Sequence, residues 1–314
     1  MEFVRGQLWN WAEEQLADPT PQIDALPSES GEYLAGRAAD LTAIQTLLLS
    51  DEPVTWVEEF ASQLRPMPNL GGLFRLHQVM IARALDRARA GDRGAWDDLR
   101  AVWNLARSLA RRHETISNLI ALGMTRNVLV AARKMPLPPP AWLQEIRAFD
   151  FRRAMIAAAQ ADAFRMNDRV YVETTVDSSP LAQRAVDTVM APYTRMAAAD
   201  IARSWRNVAV KIASSADCSL DVDALEQSTA WWNVPARHLS TPNLQEGWRR
   251  QARFTAEREA TFRALALRAG APPQPESDCA DGRWIYAEDG RSFRFSNPAL
   301  PIEFVTSSLR SERQ

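Results

Sequence analysis

The stretch Pro68 to Lys134, PNLGGLFRLHQVMIARALDRARAGDRGAWDDLRAVWNLARSLARRHETISNLIALGMTRNVLVAARK, decides the fold. In its first part Leu70, Leu73, Phe74, His77, Met80, Ile81, Ala84, Leu85 and Ala88 recur at i, i+3, i+4, i+7, the period of one helix face. Gly91 is placed to end that helix and Asp92 to cap the next. The second helix repeats the spacing with Ala95, Trp96, Leu99, Val102, Trp103, Ala106, Leu109 and Ala110. The third, Ile116 to Ala132, is apolar almost all round at Leu119-Ile120-Ala121-Leu122-Gly123-Met124, which predicts burial on most sides. Turns of a few residues between long helices make them antiparallel neighbours.

Working outward, residues 2–17 read as helix, and Asp18 to Ser30, with Pro19, Pro21 and Pro27, as a break. Ser30 is expected to cap a helix over Glu32 to Leu49, and Asp51 with Pro53 to start another through Leu64. After Lys134, Met135-Pro136-Leu137-Pro138-Pro139-Pro140 is a stop. Helices are expected over Ala141 to Ala148 and Phe151 to Met166, then a strand-like stretch from Val170 to Val176. A long helix from Pro180 to about Ser214 should kink at Pro192. Val222 to Trp232 and Leu244 to Ala269 complete the helical part. Gly270 to Cys279, with Pro272, Pro273 and Pro275, reads as a linker. Arg283-Trp284-Ile285-Tyr286 and Ser292-Phe293-Arg294-Phe295 flank Asp289-Gly290, a strong hairpin signal. A lone hairpin is marginal, so its aromatic side must pack on the helices.

The fold class is therefore mainly α: an antiparallel helical bundle or irregular α-hairpin array with a short C-terminal β-hairpin. Residues 1–270 form a helical domain, and residues 271–314 a linker, hairpin and tail packed on it.

Composition is that of an ordinary globular protein, with 46% apolar and 24% charged residues in 314. A net charge of -2 gives no global argument for nucleic acid or an anionic membrane. Basic charge is nearly all arginine, Lys134 and Lys211 excepted, which a GC-rich genome explains without phosphate binding. No apolar run reaches the about 18 residues of a membrane span, and no signal peptide is visible. Met1-Glu2-Phe3 reads equally as a native start or as the new start left by removal of an export signal. The chain is thus expected to be periplasmic or envelope-associated if such a signal was removed, and cytoplasmic otherwise. Cys218 and Cys279 read as two buried thiols or as a disulfide tying the C-terminal segment to the helices, which implies an oxidising compartment.

Catalytic signatures fail in turn. There is no glycine-rich phosphate loop, no nucleophile elbow and no zinc pattern, so neither cofactor nor metal is expected. Asp97-Asp98 is similar to the start of the aspartate-rich motif of class I isoprenoid synthases, but Ala101 stands where the third acid belongs. Glu29-Ser30 is similar to the catalytic site of helical lytic transglycosylases, whose downstream segment is missing. His77 lies on an apolar stripe and reads as a core histidine, and His113 as a cation at a helix end. Asp97-Asp98, Asp86, Arg87 and Arg89, and Arg249, Arg250 and Arg253, read as solvated faces. The 11 tryptophans sit mostly at core spacing, except the pair Trp231-Trp232. Neighbouring helical residues point about 100° apart, so one of the pair reaches a surface, close to the loop that holds His238. Trp231, Trp232 and His238 are the candidate binding residues.

Several of these segments together resemble a group of uncharacterised bacterial proteins of similar length. The pattern is Pro68-Asn69-Leu70, Arg75-Leu76-His77, Ala90-Gly91-Asp92, Trp103-Asn104-Leu105, Ile116-Ser117-Asn118-Leu119-Ile120-Ala121-Leu122, Arg133-Lys134 and Pro140-Ala141-Trp142. The resemblance, best from Pro66 to Trp142, implies an all-helical fold and, since such proteins often look exported or anchored, an envelope location. Ala90-Gly91-Asp92 also looks like the turn of tetratricopeptide hairpins, but helix starts near 69, 92 and 114 fall short of the roughly 34-residue period. The expected function is non-enzymatic binding or scaffolding in the bacterial envelope through an inter-helical groove, the partner a protein or a small apolar ligand. The alternative is an enzyme with dispersed carboxylates and a histidine in an internal cavity.

Overall fold

A computed structural model describes residues 2–52, 54–56, 69–174, 180–215, 218, 229–234, 236, 244–279, 282–288 and 292–305. The chain is mainly helical, with a small antiparallel sheet at its C-terminal end. The helices are α1 (Glu2–Ala17), α2 (Ser28–Gly36), α3 (Ala38–Leu49), α4 (Leu70–Arg89), α5 (Ala95–Ala110), α6 (Thr115–Lys134), α7 (Leu143–Ala148), α8 (Phe151–Thr174), α9 (Pro180–Ser214) and α10 (Leu244–Arg268). The strands β1 (Trp284–Tyr286), β2 (Ser292–Phe295) and β3 (Glu303–Val305) pair in the order 1-2-3.

The α4–α6 segment folds as its apolar period dictates. Asn69 caps α4, its Oδ1 accepting from the Gly72 N–H at 2.8 Å. Gly91, at φ +76°, makes the left-handed turn that ends α4. Asp92 does not cap α5 itself; it accepts from the Gly94 N–H at 2.8 Å and so shapes the turn before the helix. Met80, Ile81, Leu85, Leu99, Trp103, Leu109, Met124 and Val128 are fully or almost fully buried where the three helices meet. Among the described residues α6 is the one helix long and apolar enough to cross a membrane, yet it packs within the main core.

Several expectations need correction. Glu32 to Leu49 is two helices, broken at Arg37 after Gly36, and Ser30 lies buried inside α2 rather than capping it. Pro27, its φ already helical, starts that helix a turn earlier, and its carbonyl accepts from the Gly31 N–H. Residues 51–52 and 54–56 are not helical, and the rest of the helix expected to Leu64 lies outside the described residues. Val170 to Thr174 continues α8 instead of forming a strand, because pairing along α9 overrides the β-preference of Val and Tyr. The long helix expected from Pro180 is α9, with Pro192 inside it as expected. Thr229 to Trp232 lies in a turn, not at the end of a helix, and residues 222–228 lie outside the described residues. The hairpin gains β3, in register Phe293↔Phe304, while Asp289-Gly290 lies outside the described residues.

Three apolar clusters result. The largest joins α1–α7 with Phe254 and Leu265 of α10. A second lies between α8, α9 and Trp248 of α10, around Trp205 and Ile201. In the third, Trp284, Phe293 and Phe295 of the sheet pack on Ala256, Ala260 and Ala264 of α10, beside Cys218 and Cys279. Of the two readings open for the cysteines, the bridge is the one formed: they make a disulfide, and both are buried.

Arginine proves structural in a specific way. Guanidiniums satisfy carbonyls at helix ends, where backbone acceptors have no intrahelical donor. Arg152 at the start of α8 donates to Ile212 O at 2.6 Å and Ser215 O at 2.5 Å, closing α9. Arg268 donates to the carbonyls of Arg133 and, at 2.9 Å, Met135, closing α6. Lys134 plays the same part for the N-terminal break, its Nζ reaching Thr20 O at 2.6 Å, Gln22 O at 3.1 Å and Asp18 Oδ2 at 3.2 Å.

Asp98 is not a surface residue. Its side chain is fully buried and accepts from Arg83 Nε and Arg87 Nη1, each at 3.0 Å, and from Gln45 Nε2 at 2.8 Å. Arg87 also pairs with Asp92 at 2.7 Å. Only Asp97 of the pair faces solvent.

Candidate functional site

Two stripes of side chains face each other across a cavity between α6 and α10. On α6, Leu119, Leu122, Gly123 and Arg126 fall at i, i+3, i+4, i+7 and so share one face. On α10, Glu246, Arg249, Arg250, Arg253 and Glu257 follow the same rule, with Phe254 beside them. Ala299, Leu300 and Pro301, between β2 and β3, close one side. The cavity holds about 840 Å³, within the usual range for a small-molecule pocket. Next to Glu246 on α10, Gly247 is buried: a Cβ there would stand 3.0 Å from Met155 Cε and 3.4 Å from Leu119 Cδ2. The missing side chain lets α10 approach α6 and α8 closely.

The walls carry four arginines and two glutamates. Each carboxylate is shared by two guanidiniums. Glu257 accepts from Arg126 at 2.5 and 3.0 Å and from Arg253 at 2.9 Å. Glu246 accepts from Arg250 at 3.0 Å and lies 3.9 Å from Arg249. Glu257 is largely buried, whereas all four arginines stay more than half exposed and can swing toward a ligand. The walls are therefore cationic by two charges over an apolar floor of Leu119, Leu122, Phe254 and Leu300.

One turn-pair further along α6, Arg133 extends the cationic line. It donates to Thr261 Oγ1 at 3.0 Å and stacks over the Phe304 ring at 4.5 Å. Burial pushes its guanidinium down to about 10; the nearby Arg126 and Arg268 charges act the same way and Glu257 opposes them. The arginine still carries its proton at neutral pH.

The residues singled out from sequence lie elsewhere. Trp231 projects into solvent at 83% exposure, while its neighbour Trp232 turns inward against Tyr193, ring centroids 6.2 Å apart. Their loop is pinned to α9. Tyr193 Oη donates to Trp232 O and accepts from the Val234 N–H, both at 3.1 Å, and Asp200 accepts from the Ala230 N–H at 2.8 Å and Asn233 Nδ2 at 3.0 Å. Neither tryptophan lines the α6–α10 cavity. His238 lies outside the described residues.

His77 is fully buried in the main core, its ring 5.3 Å from that of Phe74. Neither ring nitrogen makes a well-formed hydrogen bond, although the Phe74 and Met124 backbone lies near enough to favour the proton slightly. Burial dominates and brings the imidazole down to about 4, so it is neutral at physiological pH. Among the described residues no group of three or more His, Cys, Asp or Glu side chains is placed to hold a metal ion.

Sequence reasoning read Arg249, Arg250 and Arg253 as a solvated face and did not single out Arg126. Their spacing already placed them on one side of a helix. What the sequence lacked was the opposing helix, since α6 and α10 are separated by more than a hundred residues. No protein family, curated protein or solved structure matches the chain.

Proposed function

We propose that the protein is a binding protein whose ligand seats in the α6–α10 groove, and that the ligand is an amphiphile with an anionic head and an apolar body. The observation that carries this reading is the ratio of four arginines to two glutamates above an apolar floor. An anionic head takes up the cationic excess, by charge-assisted hydrogen bonds to guanidiniums already half-engaged by glutamate. The hydrocarbon part lies along Leu119, Leu122, Phe254 and Leu300, of which Leu119 is the partly exposed one that leaves water and the other three are already buried.

The alternative of an enzyme with dispersed carboxylates and a histidine finds less support. Both lining glutamates are committed to ion pairs, and no histidine lines the groove. The placement proposed is the bacterial envelope. It is supported by the Cys218–Cys279 bridge, of a kind that persists in oxidising compartments.

The test is thermal unfolding with dodecanoate and dodecyl phosphate, below their micellar range, against dodecyl maltoside. A ligand at about 100 times its Kd stabilises by about 2.7 kcal/mol. For a chain of 314 residues that raises Tm by about 4 °C. The two anionic amphiphiles should produce the shift, the neutral one should not, and Arg249→Glu with Arg253→Glu should abolish it. An equal shift with dodecyl maltoside, or an undiminished shift in the double variant, refutes the reading.

A further inference from the structure

Nine large apolar side chains stand exposed among the described residues, and six of them belong to one region. Val189, Met190, Met196 and Val210 lie on α9, and Trp231 and Val234 on the loop pinned to it. The positions have a pattern. Val189, Met196, Arg203 and Val210 are seven residues apart, so they form a single line along the outer side of the helix, about 32 Å long. Ala197, Ile201, Trp205, Val208 and Ile212 form the buried side, in one cluster with Met155 and Ala159 of α8, while Tyr193, beside the outer line, holds the loop.

Among the described side chains of α9, the exposed charges are of one sign. Arg195, Arg203, Arg206 and Lys211 are exposed between residues 188 and 214, and the single acid in that span, Asp200, is buried and engaged with the loop backbone and Asn233. Arg203 approaches Asp200 only at 3.9 Å and stays 71% exposed. A protein of net charge -2 thus presents a strip that is cationic and apolar together.

We infer that the outer face of α9, with Trp231 at its edge, docks on an anionic lipid surface. Three physical arguments favour this occupant. Interfacial helices combine basic side chains, which meet lipid phosphates, with a tryptophan that settles at headgroup depth. A second copy of the chain is disfavoured, because apposing two such faces sets arginine against arginine. The strip is about 32 Å long, with its apolar groups spaced singly, which suits a sheet of headgroups better than a partner that must bury a compact apolar anchor. The depth is modest: the helix lies on the membrane, and nothing in this face spans it.

Vesicle sedimentation tests the inference, using the whole chain with phosphatidylglycerol or phosphatidylcholine vesicles at low and high salt. Binding is expected to phosphatidylglycerol vesicles and to weaken as salt rises. Each basic residue near such a surface contributes about a fivefold gain, so Arg203→Gln with Arg206→Gln should weaken partition about 30-fold. Trp231→Ala should weaken it further, with both variants keeping the native circular dichroism. The groove variant Arg249→Glu with Arg253→Glu should bind vesicles as the parent does, which separates failure here from failure of the groove reading. Equal binding to both vesicle types, binding to neither, undiminished binding by the arginine variant, or capture of polyglutamate in place of vesicles each overturns the inference.

Discussion

His77 makes the stability of this protein depend on pH in a way that can be calculated. In the unfolded chain its imidazole titrates near 6.5, and in the folded chain burial lowers that to about 4. Between these values the unfolded state binds the proton that the folded state refuses, so stability rises with pH across the window and is lost as pH falls through it. The difference of 2.5 units corresponds to about 3 kcal/mol, present in full above about pH 6.5 and gone below about pH 4. With an unfolding entropy of about 2.1 cal/mol/K per residue, this lowers Tm by about 5 °C between pH 7 and pH 4. Carboxylates titrate over the same range, so the assay is a comparison: urea unfolding of the parent and of His77→Leu at half-unit steps. The variant should lose about 3 kcal/mol of the parent's pH dependence. At pH 7 it should be nearly as stable as the parent, because it removes an imidazole with no well-formed hydrogen bond. With three histidines in the chain, proton NMR can follow the His77 ring directly. Identical pH slopes for parent and variant, or a His77 resonance titrating near 6.5 in the folded protein, refutes the reasoning.

Asp98→Ala should destabilise by about 3 kcal/mol in urea unfolding, since it strands Arg83 in the interior, whereas Asp97→Ala should change stability by less than about 0.5 kcal/mol. Cys218→Ser with Cys279→Ser opens a loop whose ends are 61 residues apart, and chain entropy puts the loss at about 4 kcal/mol. Alkylation of the untreated parent should label neither cysteine, and labelling of both in the folded state would sink the bridge. Arg152→Ala leaves the last carbonyls of α9 without their guanidinium donor and should cost about 2 kcal/mol, read by chemical denaturation, with Arg153→Ala as the solvent-facing control.

Much of the architecture is legible without coordinates, because it rests on period. The helices α4, α5 and α6 follow from the apolar spacing of positions such as Leu85, Trp103 and Met124 that only a helix can align, and the long helices α9 and α10 were expected close to their observed bounds. Local chemistry misleads where tertiary contacts decide. Val170-Tyr171-Val172 favours a strand in isolation, yet it lies in α8 beside α9. Asp98 resembles its neighbour Asp97 until two arginines from α4 close over it. The groove was illegible for a related reason. Arg126 and Glu257 meet across 131 positions of sequence, and neither one's spacing announces the other. That one of the tryptophan pair reaches a surface was expected, but from a helix that is in fact a turn, and its relation to α9 came only with Tyr193 and Asp200.

α10 contributes side chains to all three apolar clusters: Trp248 to one, Phe254 and Leu265 to another, and Ala256, Ala260 and Ala264 to the third. A helix used on so many sides has little freedom to drift. Saturation mutagenesis should find α10 the least tolerant long helix of the chain, with small residues at 256, 260 and 264 admitting almost nothing larger, while α2 and α3 accept wide variation. New ligand preferences would then arise from exchanges at its outward arginines, the positions on α10 that can change without disturbing three cores at once.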